Sequence, residues 1–402
     1  MTITDEIVEV AKKLIEFESI ESRPDQLKEI IDFAEDYLKK NTKLHLKRFE
    51  VKGKHSLVGV FKKETPLEDA KESPLQVPEI FFHAHLDVVP GNPKQFKPYL
   101  ENGKLYGRGA SDTKGNGAVL LVLAKELSRQ IPDPALRAHS GSGILNPLTP
   151  GVEESRSLGY PDVGFMFTTD EEIGGHNGTR YLLEKGYRCQ FFITFEPTGF
   201  NIVPAHKGIL WIKIKVKGRS SHSSKPWEGE NAILKALSGV EKLGKLFPQP
   251  KESAWQTTVN LSGIESGDAF NKVPDECLVK LDIRRTEKNS PASIIRKIKS
   301  CFVDAEVEII EDGALMNTSF KNSYIKKLAS IVTKVSLRVP SIHRGNGACD
   351  GRFYAKVGIP AIQFGTASKG IHTDNEFLIV PALKNFFKIL MEFSNSVSQS
   401  TP

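Results

Sequence analysis

Val163-Gly164-Phe165-Met166-Phe167-Thr168 runs directly into Thr169-Asp170-Glu171-Glu172-Ile173-Gly174-Gly175. The first part is a short apolar run and reads as a strand buried on both faces. The second part sets three carboxylates side by side where that strand ends. Like charges at close range raise each other's pKa and oppose folding. A bound cation is the simplest group that offsets them. Similar apolar runs recur at 80–89, 191–195 and 360–364, and helical stretches such as 117–127 separate several of them. Strands alternating with helices predict an α/β architecture, a mostly parallel sheet flanked by helices. The chain starts on a predicted helix, with Ile7, Val8, Ala11, Leu14 and Ile15 on one face and Thr4, Asp5 and Glu6 as its cap.

The pattern changes near Lys207. Ile212, Ile214 and Val216 alternate with Lys213, Lys215 and Lys217, the period of a sheet with one wet face. A helix over 231–245, strands over 257–263 and 277–284, a helix over 293–302 and a strand over 306–310 follow. The order β-α-β-β-α-β predicts a ferredoxin-like α+β domain. It interrupts the larger one, so the expected division is 1–204 with 317–402 against an inserted 205–316. Residues 67–77 and 128–162 read as loops.

The 402 residues, 39% hydrophobic and 26% charged, suit a soluble protein of two domains. Acidic residues stand where a signal peptide is basic, so the expected location is cytoplasmic. Four scattered cysteines without a CxxC pair argue against thiolate zinc sites and read as core residues. The net charge of +6 is dispersed, without basic clusters interleaved with aromatics, which predicts no nucleic-acid partner.

The strand ends carry residues of metal-ligand type. His85 and Asp87 are spaced to share one face of their strand, where one can bind metal while the other hydrogen-bonds the imidazole. Asp112 sits in the glycine-rich Gly107-Arg108-Gly109-Ala110-Ser111-Asp112-Thr113-Lys114-Gly115. Glu171 and Glu172 end one strand, Glu196 ends another, and His372 follows the last. Singly, each has a structural reading: a satisfied histidine, a solvated helix start, or a cap. Together they lie where open parallel sheets bind ligands, beyond the carboxyl ends of the strands. Imidazoles mixed with carboxylates suit zinc, with manganese or cobalt as substitutes, better than calcium.

These residues lie in motifs that resemble a family of metallopeptidases and deacylases, which includes carboxypeptidase G, aminoacylase-1, acetylornithine deacetylase and succinyl-diaminopimelate desuccinylase. The matching segments are HAHLDVVP, GRGASDTKG, TTDEEIGG, FEPTG, HSSKPWEGENAI, NKVPDE, LDIRRT and GIHTDNEF, in family order across nearly the whole chain. The resemblance implies two divalent metal ions ~3.5–4 Å apart. One would take His85 and Glu196, the other Glu172 and His372, with Asp112 bridging both and a cis peptide following it. Asp87 would orient His85, and Asp170 would face away into hydrogen bonds. Glu171 would be the general base that takes a proton from water and returns it to the leaving amine. The inserted domain is similar to the family's lid and dimerisation domain, which implies a homodimer. In it, His222 would reach the developing oxyanion, while Asn271 and Arg284 would grip a substrate carboxylate. The segment Gly345-Asn346-Gly347-Ala348-Cys349-Asp350-Gly351-Arg352-Phe353 resembles the desuccinylases' GGTSDGRF, which implies that Asp350 and Arg352 shape the substrate pocket. Cys349 and Ala348 depart from that pattern.

The resulting expectation is a two-metal amidohydrolase acting on an N-acyl amino acid, of acetylornithine deacetylase or succinyl-diaminopimelate desuccinylase type. A di- or tripeptidase or carboxypeptidase of the same family is the alternative. A non-catalytic binding protein is the third reading, and the presence of Glu171 and Asp112 opposes it.

Overall fold

The computed structural model describes residues 1–61, 78–131 and 161–398. The chain divides into two compact units, Met1–Pro204 with Thr318–His343 and Cys349–Pro402, and Ala205–Asn317 with Arg344–Ala348. Of the stretches read as loops, 67–77 lies outside the described residues, as does 132–160 of the second.

The first unit opens with α1 (Ile3–Glu16) and α2 (Pro24–Asn41). The cap of α1 is Thr2, not Thr4. Asp5 donates its N–H to Thr2 Oγ1 at 3.2 Å and accepts from Thr2 N–H at 2.8 Å, a reciprocal box that only a helix starting at Ile3 can close. The main strands of the large sheet are β1 (His45–Val51), β2 (Lys54–Val60), β3 (Ile80–His85), β4 (Val163–Thr168), β5 (Phe191–Phe195), β6 (Ile202–His206) and, after the inserted segment, β11 (Ala361–Phe364). Their order is β1-β2-β4-β3-β5-β11-β6. The central β4-β3-β5-β11 pairings are parallel. The flanking β1–β2, β2–β4 and β6–β11 pairings are antiparallel, so the sheet is mixed around a parallel centre.

Every residue of β3, β4 and β5 is buried, because helices cover both faces. Phe82, Phe165 and Ile193 point into one core with α1, α2, α3 (Lys114–Arg129), α7 (Ser323–Ser336) and α9 (Val380–Ser398). Residues of the other parity face the opposite side. There Tyr354 of α8 (Gly351–Lys356) stacks on Phe192 with ring centroids 3.8 Å apart. β3 ends at His85 rather than running to Val89. Val88 N–H leaves the sheet to donate to Ser19 O at 3.0 Å, and Ser19 Oγ donates to Leu86 O at 2.6 Å.

A small antiparallel sheet was not anticipated. It joins Tyr99–Glu101, Lys104–Tyr106, Phe377–Ile379 and Ser368–Lys369. Strands of two or three residues are too short to show a period, yet this sheet ties the segment before Asp112 to the segment after His372.

The second unit contains β7 (Gly208–Lys217), α5 (Ala232–Leu246), β8 (Thr258–Ser266), β9 (Glu276–Arg285), α6 (Pro291–Cys301) and β10 (Glu306–Gly313). The sheet order β8-β9-β7-β10, antiparallel throughout, is the ferredoxin-like arrangement. Leu210, Ile212, Ile214 and Val216 of β7 pack into one core with Ala236, Leu243, Ile294 and Ile298 of the helices. Asn231 caps α5 by accepting from Ile233 and Leu234 N–H. Among the described residues no helix is long and apolar enough to cross a membrane. All four cysteines are free and buried.

Candidate metal centre

The chain crosses from β3 to β4 on one side and then returns past β3 to β5 on the other, so the carboxyl ends of these strands flank a topological switch point. His85 ends β3, Asp170 to Glu172 follow β4, and Glu196 follows β5. Asp112 arrives on the loop before α3, and His372 on the loop after β11. The peptide between Asp112 and Thr113 is cis, as the resemblance implied.

Asp112 stands between two imidazoles. Its Oδ1 is 3.1 Å from His85 Nε2, and its Oδ2 is 3.3 Å from His372 Nε2. His372 Nε2 also lies 3.2 Å from Glu172 Oε1. Donor atoms of His85, Asp112 and Glu172 all fall within 4.8 Å of one another. His85 Nδ1 donates to Asp87 O at 3.1 Å, which turns Nε2 toward Asp112. Asp87 Oδ2 in turn accepts from Glu172 N–H at 3.0 Å, while its buried Oδ1 lies 3.5 Å from His85 Nδ1. His372 adopts φ 60, the left-handed region that a side chain occupies at a cost.

The charges of this cluster are unbalanced. Burial, with Asp112 and Glu171 close by, pushes the Glu196 carboxyl well above its ordinary range. Burial and the neighbouring Asp350, Glu172 and Asp112 raise Glu171 likewise, against the pull of His85. Hydrogen bonds to Asp112 and Glu172 push the His372 imidazole up to about 10. Burial opposes a charge on His85, but hydrogen bonds to Asp112 and Asp87 hold its pKa above the ordinary value. Burial would also raise Asp112, but its bonds to His372 and His85 outweigh that and keep it low. Two imidazoles thus face four acids, a donor set that fits divalent cations of the zinc type.

Behind Glu171 lies a buried polar layer. Asp170 turns away from the cluster, accepting from Asn177 and Gly178 N–H at 2.7 and 3.0 Å. Burial and its neighbour Asp350 still raise it to about 7. Asp350 and Arg352, expected at the substrate pocket, are instead buried here. Asp350 accepts from Thr179 Oγ1 at 2.5 Å, and Arg352 donates to Gly174 O at 2.7 Å. The physical reason is that α8 tucks these side chains under the turn that carries Glu171. His83, the other histidine of the motif, is a satisfied core residue bonded to Thr194, Thr168 and Thr179, and burial keeps it neutral.

Gly175 has φ +64, and a Cβ there would stand 2.0 Å from Asp350 Oδ1. Gly175→Ala is therefore expected to destabilise the protein by about 1–3 kcal/mol and to displace the Glu171 turn. Urea unfolding checks this; a wild-type midpoint would show that the turn adapts.

The remaining sequence-derived residues lie in the second unit. His222 is exposed, and its Nδ1 is 2.8 Å from Ser224 Oγ. Asn271 is exposed, and its carbonyl accepts from Ser223 N–H at 3.0 Å. Arg284 is already held in a two-point grip by Asp282, Nε and Nη2 each at 3.0 Å. The edge formed by Nη1 and the second Nη2 hydrogen faces away from that carboxylate. Sequence reasoning missed Glu376, Thr179 and Arg108. The signal for Glu376 was its place four residues after His372, in an otherwise polar turn.

Residues 81–138 match the family described as Peptidase family M20/M25/M40, and residues 204–309 match the Peptidase dimerisation domain. A succinyl-diaminopimelate desuccinylase of Polynucleobacter necessarius subsp. necessarius is 26% identical over 339 residues, 78% of this chain and 81% of its own length. The crystal structure of a tripeptidase from Staphylococcus aureus is similar with a TM-score of 0.75 at 19% identity, covering 99% of each chain. A dinuclear metal binding peptidase of the M20 family from Bacillus subtilis is similar with a TM-score of 0.66 at 14% identity, again over 99% of each chain. At these identities the two solved structures speak for the fold.

Proposed function

We infer that this chain is a member of peptidase family M20/M25/M40 and an amidohydrolase that removes the acyl group from an N-acyl amino acid. The observation that carries the reading is Asp112, whose two carboxylate oxygens face two different imidazoles at 3.1 and 3.3 Å. The desuccinylase relative supports the deacylase type.

His85 and Glu196 would hold one divalent cation, Glu172 and His372 the other, and Asp112 would serve both. Zinc is the first candidate, with cobalt or manganese able to substitute. Such cations supply Lewis-acid polarisation of the amide carbonyl and acidify water. The chain's own residues do the rest. Asp87 fixes the tautomer of His85. Glu171 takes a proton from the attacking water and delivers it to the leaving amine. Proton transfer to and from the reacting atoms is the role of a positioned carboxylate of this kind. Asp170 and Arg352 hold the turn that aims it.

In the second unit, His222 would stabilise the oxyanion, while Asn271 and the free edge of Arg284 would meet a substrate carboxylate. Exposed Leu234, Leu237, Leu261 and Ile264, with the match to a dimerisation domain, support pairing with a second copy through this unit. A cytoplasmic location belongs to the same reading.

A panel of N-succinyl and N-acetyl amino acids and dipeptides, assayed with zinc, cobalt or manganese, tests the proposal. Turnover of N-acyl amino acids above dipeptides is expected. Preference for dipeptides would shift the reading to a peptidase, and no hydrolysis anywhere would overturn it.

A further inference from the structure

Glu376 is 1% exposed, although it follows an exposed loop. Its Oε1 accepts from three main-chain N–H groups, those of Gly109, Ser111 and Asp112, at 3.0, 2.9 and 3.0 Å. Its Oε2 accepts from Arg108 Nη1 at 2.7 Å. Its own carbonyl accepts from Gly107 N–H at 3.2 Å. One carboxylate therefore gathers three main-chain donors of the loop 107–112, while Arg108 N–H turns to Gln95 O and Ala110 N–H to Gly107 O. N–H groups converging on one point form an anion-binding concavity, and here the anion is a side chain from a distant segment.

That segment also carries His372, four residues earlier. Gln95 Nε2 donates to Thr373 O at 2.9 Å, and Phe377 pairs with Tyr106, so the two segments are stitched on either side of the carboxylate. The main chain of Asp112 is bound directly, through its own N–H. The Asp112 and His372 side chains stand 3.3 Å apart across this junction. We propose that Glu376 is a positioning residue: it clamps the Asp112 loop to the His372 segment and so sets the spacing of the groups that share the cations. The assignment rests on the two-cation reading above. Truncating Glu376 leaves the N–H groups of Gly109, Ser111 and Asp112 and the Nη1 of Arg108 without this acceptor, and Asp112 loses its tether. Misplacement of a reacting group by about 1 Å can cost ~10²-fold in rate.

The test uses full-length protein stripped of metal. Wild type, Glu376→Ala and Glu376→Gln are titrated with Zn²⁺ by calorimetry and with Co²⁺ by visible absorption, and then assayed on the best substrate of the panel. Glu376→Ala is expected to weaken divalent binding by about 10–100-fold, to alter the Co²⁺ spectrum, and to lower kcat by ~10²-fold with KM within about threefold. Glu376→Gln keeps an acceptor oxygen of the same shape and is expected to recover part of the loss. If the alanine variant does not fold, the glutamine variant carries the comparison, with a loss of about tenfold expected. A variant of lowered melting temperature whose folded form binds both ions and absorbs like wild type overturns the assignment, because Glu376 is then merely structural. A wild-type protein that binds no divalent ion overturns the two-cation reading itself.

Discussion

Glu171→Gln lowers kcat by about 10²–10⁴-fold while divalent binding stays within about twofold of wild type. The argument starts from the turn that carries the residue. Glu171 and Glu172 are consecutive on a short 3₁₀ turn, Glu171–Ile173, and so point in different directions. Glu172 is bonded to His372 and lies within reach of His85 and Asp112. Among the described residues Glu171 makes no hydrogen bond to either imidazole, although both histidine and acid neighbours act on its charge. An amide at 171 keeps the volume and the polar surface of the carboxyl but cannot carry a proton. The acidic limb of the kcat/KM profile, which reports a base in the free enzyme, is expected to vanish with it. Steady-state kinetics with parallel metal analysis decide the matter. Turnover within threefold of wild type would remove Glu171 from the proton-transfer role.

Chelation of divalent ions abolishes hydrolysis and lowers thermal stability together, and both return when zinc or cobalt is added back. Asp112 and Glu172 are close enough to raise the pKa of Glu171, and all three to raise that of Glu196. In the folded chain that repulsion is offset by protons on the acids or imidazoles. Cations that bind only the folded state offset it more strongly, and at a free concentration 1,000 times Kd each contributes about 4 kcal/mol. For a chain of this size each kcal/mol corresponds to a melting shift of about 1–2 °C. Scanning calorimetry with and without chelator measures the shift. An unchanged melting temperature together with full activity in excess chelator would leave no role for metal.

The parts of the fold that were legible in advance share one property: their signal is local. The strands over Val163–Thr168 and Phe191–Phe195 are continuous apolar runs because both of their faces are covered. The alternation of Gly208–Lys217 follows from a sheet with one buried face. Legibility failed where the cause was distant. The strand starting at Ile80 looked longer because Leu86 and Val88 are as apolar as the strand itself. What ends it is Ser19, whose backbone takes the Val88 N–H. Asp350 and Arg352 carried a pocket-like motif, yet they bond to Thr179 and Gly174, more than 150 residues away.

The amino-acid order alone determined which residue types end the central strands, and so which side chains were available to meet a cation. It did so because a strand's burial and its terminus are properties of a few consecutive residues. Only the folded chain decided that one oxygen of Asp112 faces His85 and the other His372, and that Glu376 reaches back 264 residues to hold the Asp112 main chain. Those distances depend on sheet register and crossover packing, which sum many weak non-local contacts and leave no periodic mark in any short window of sequence.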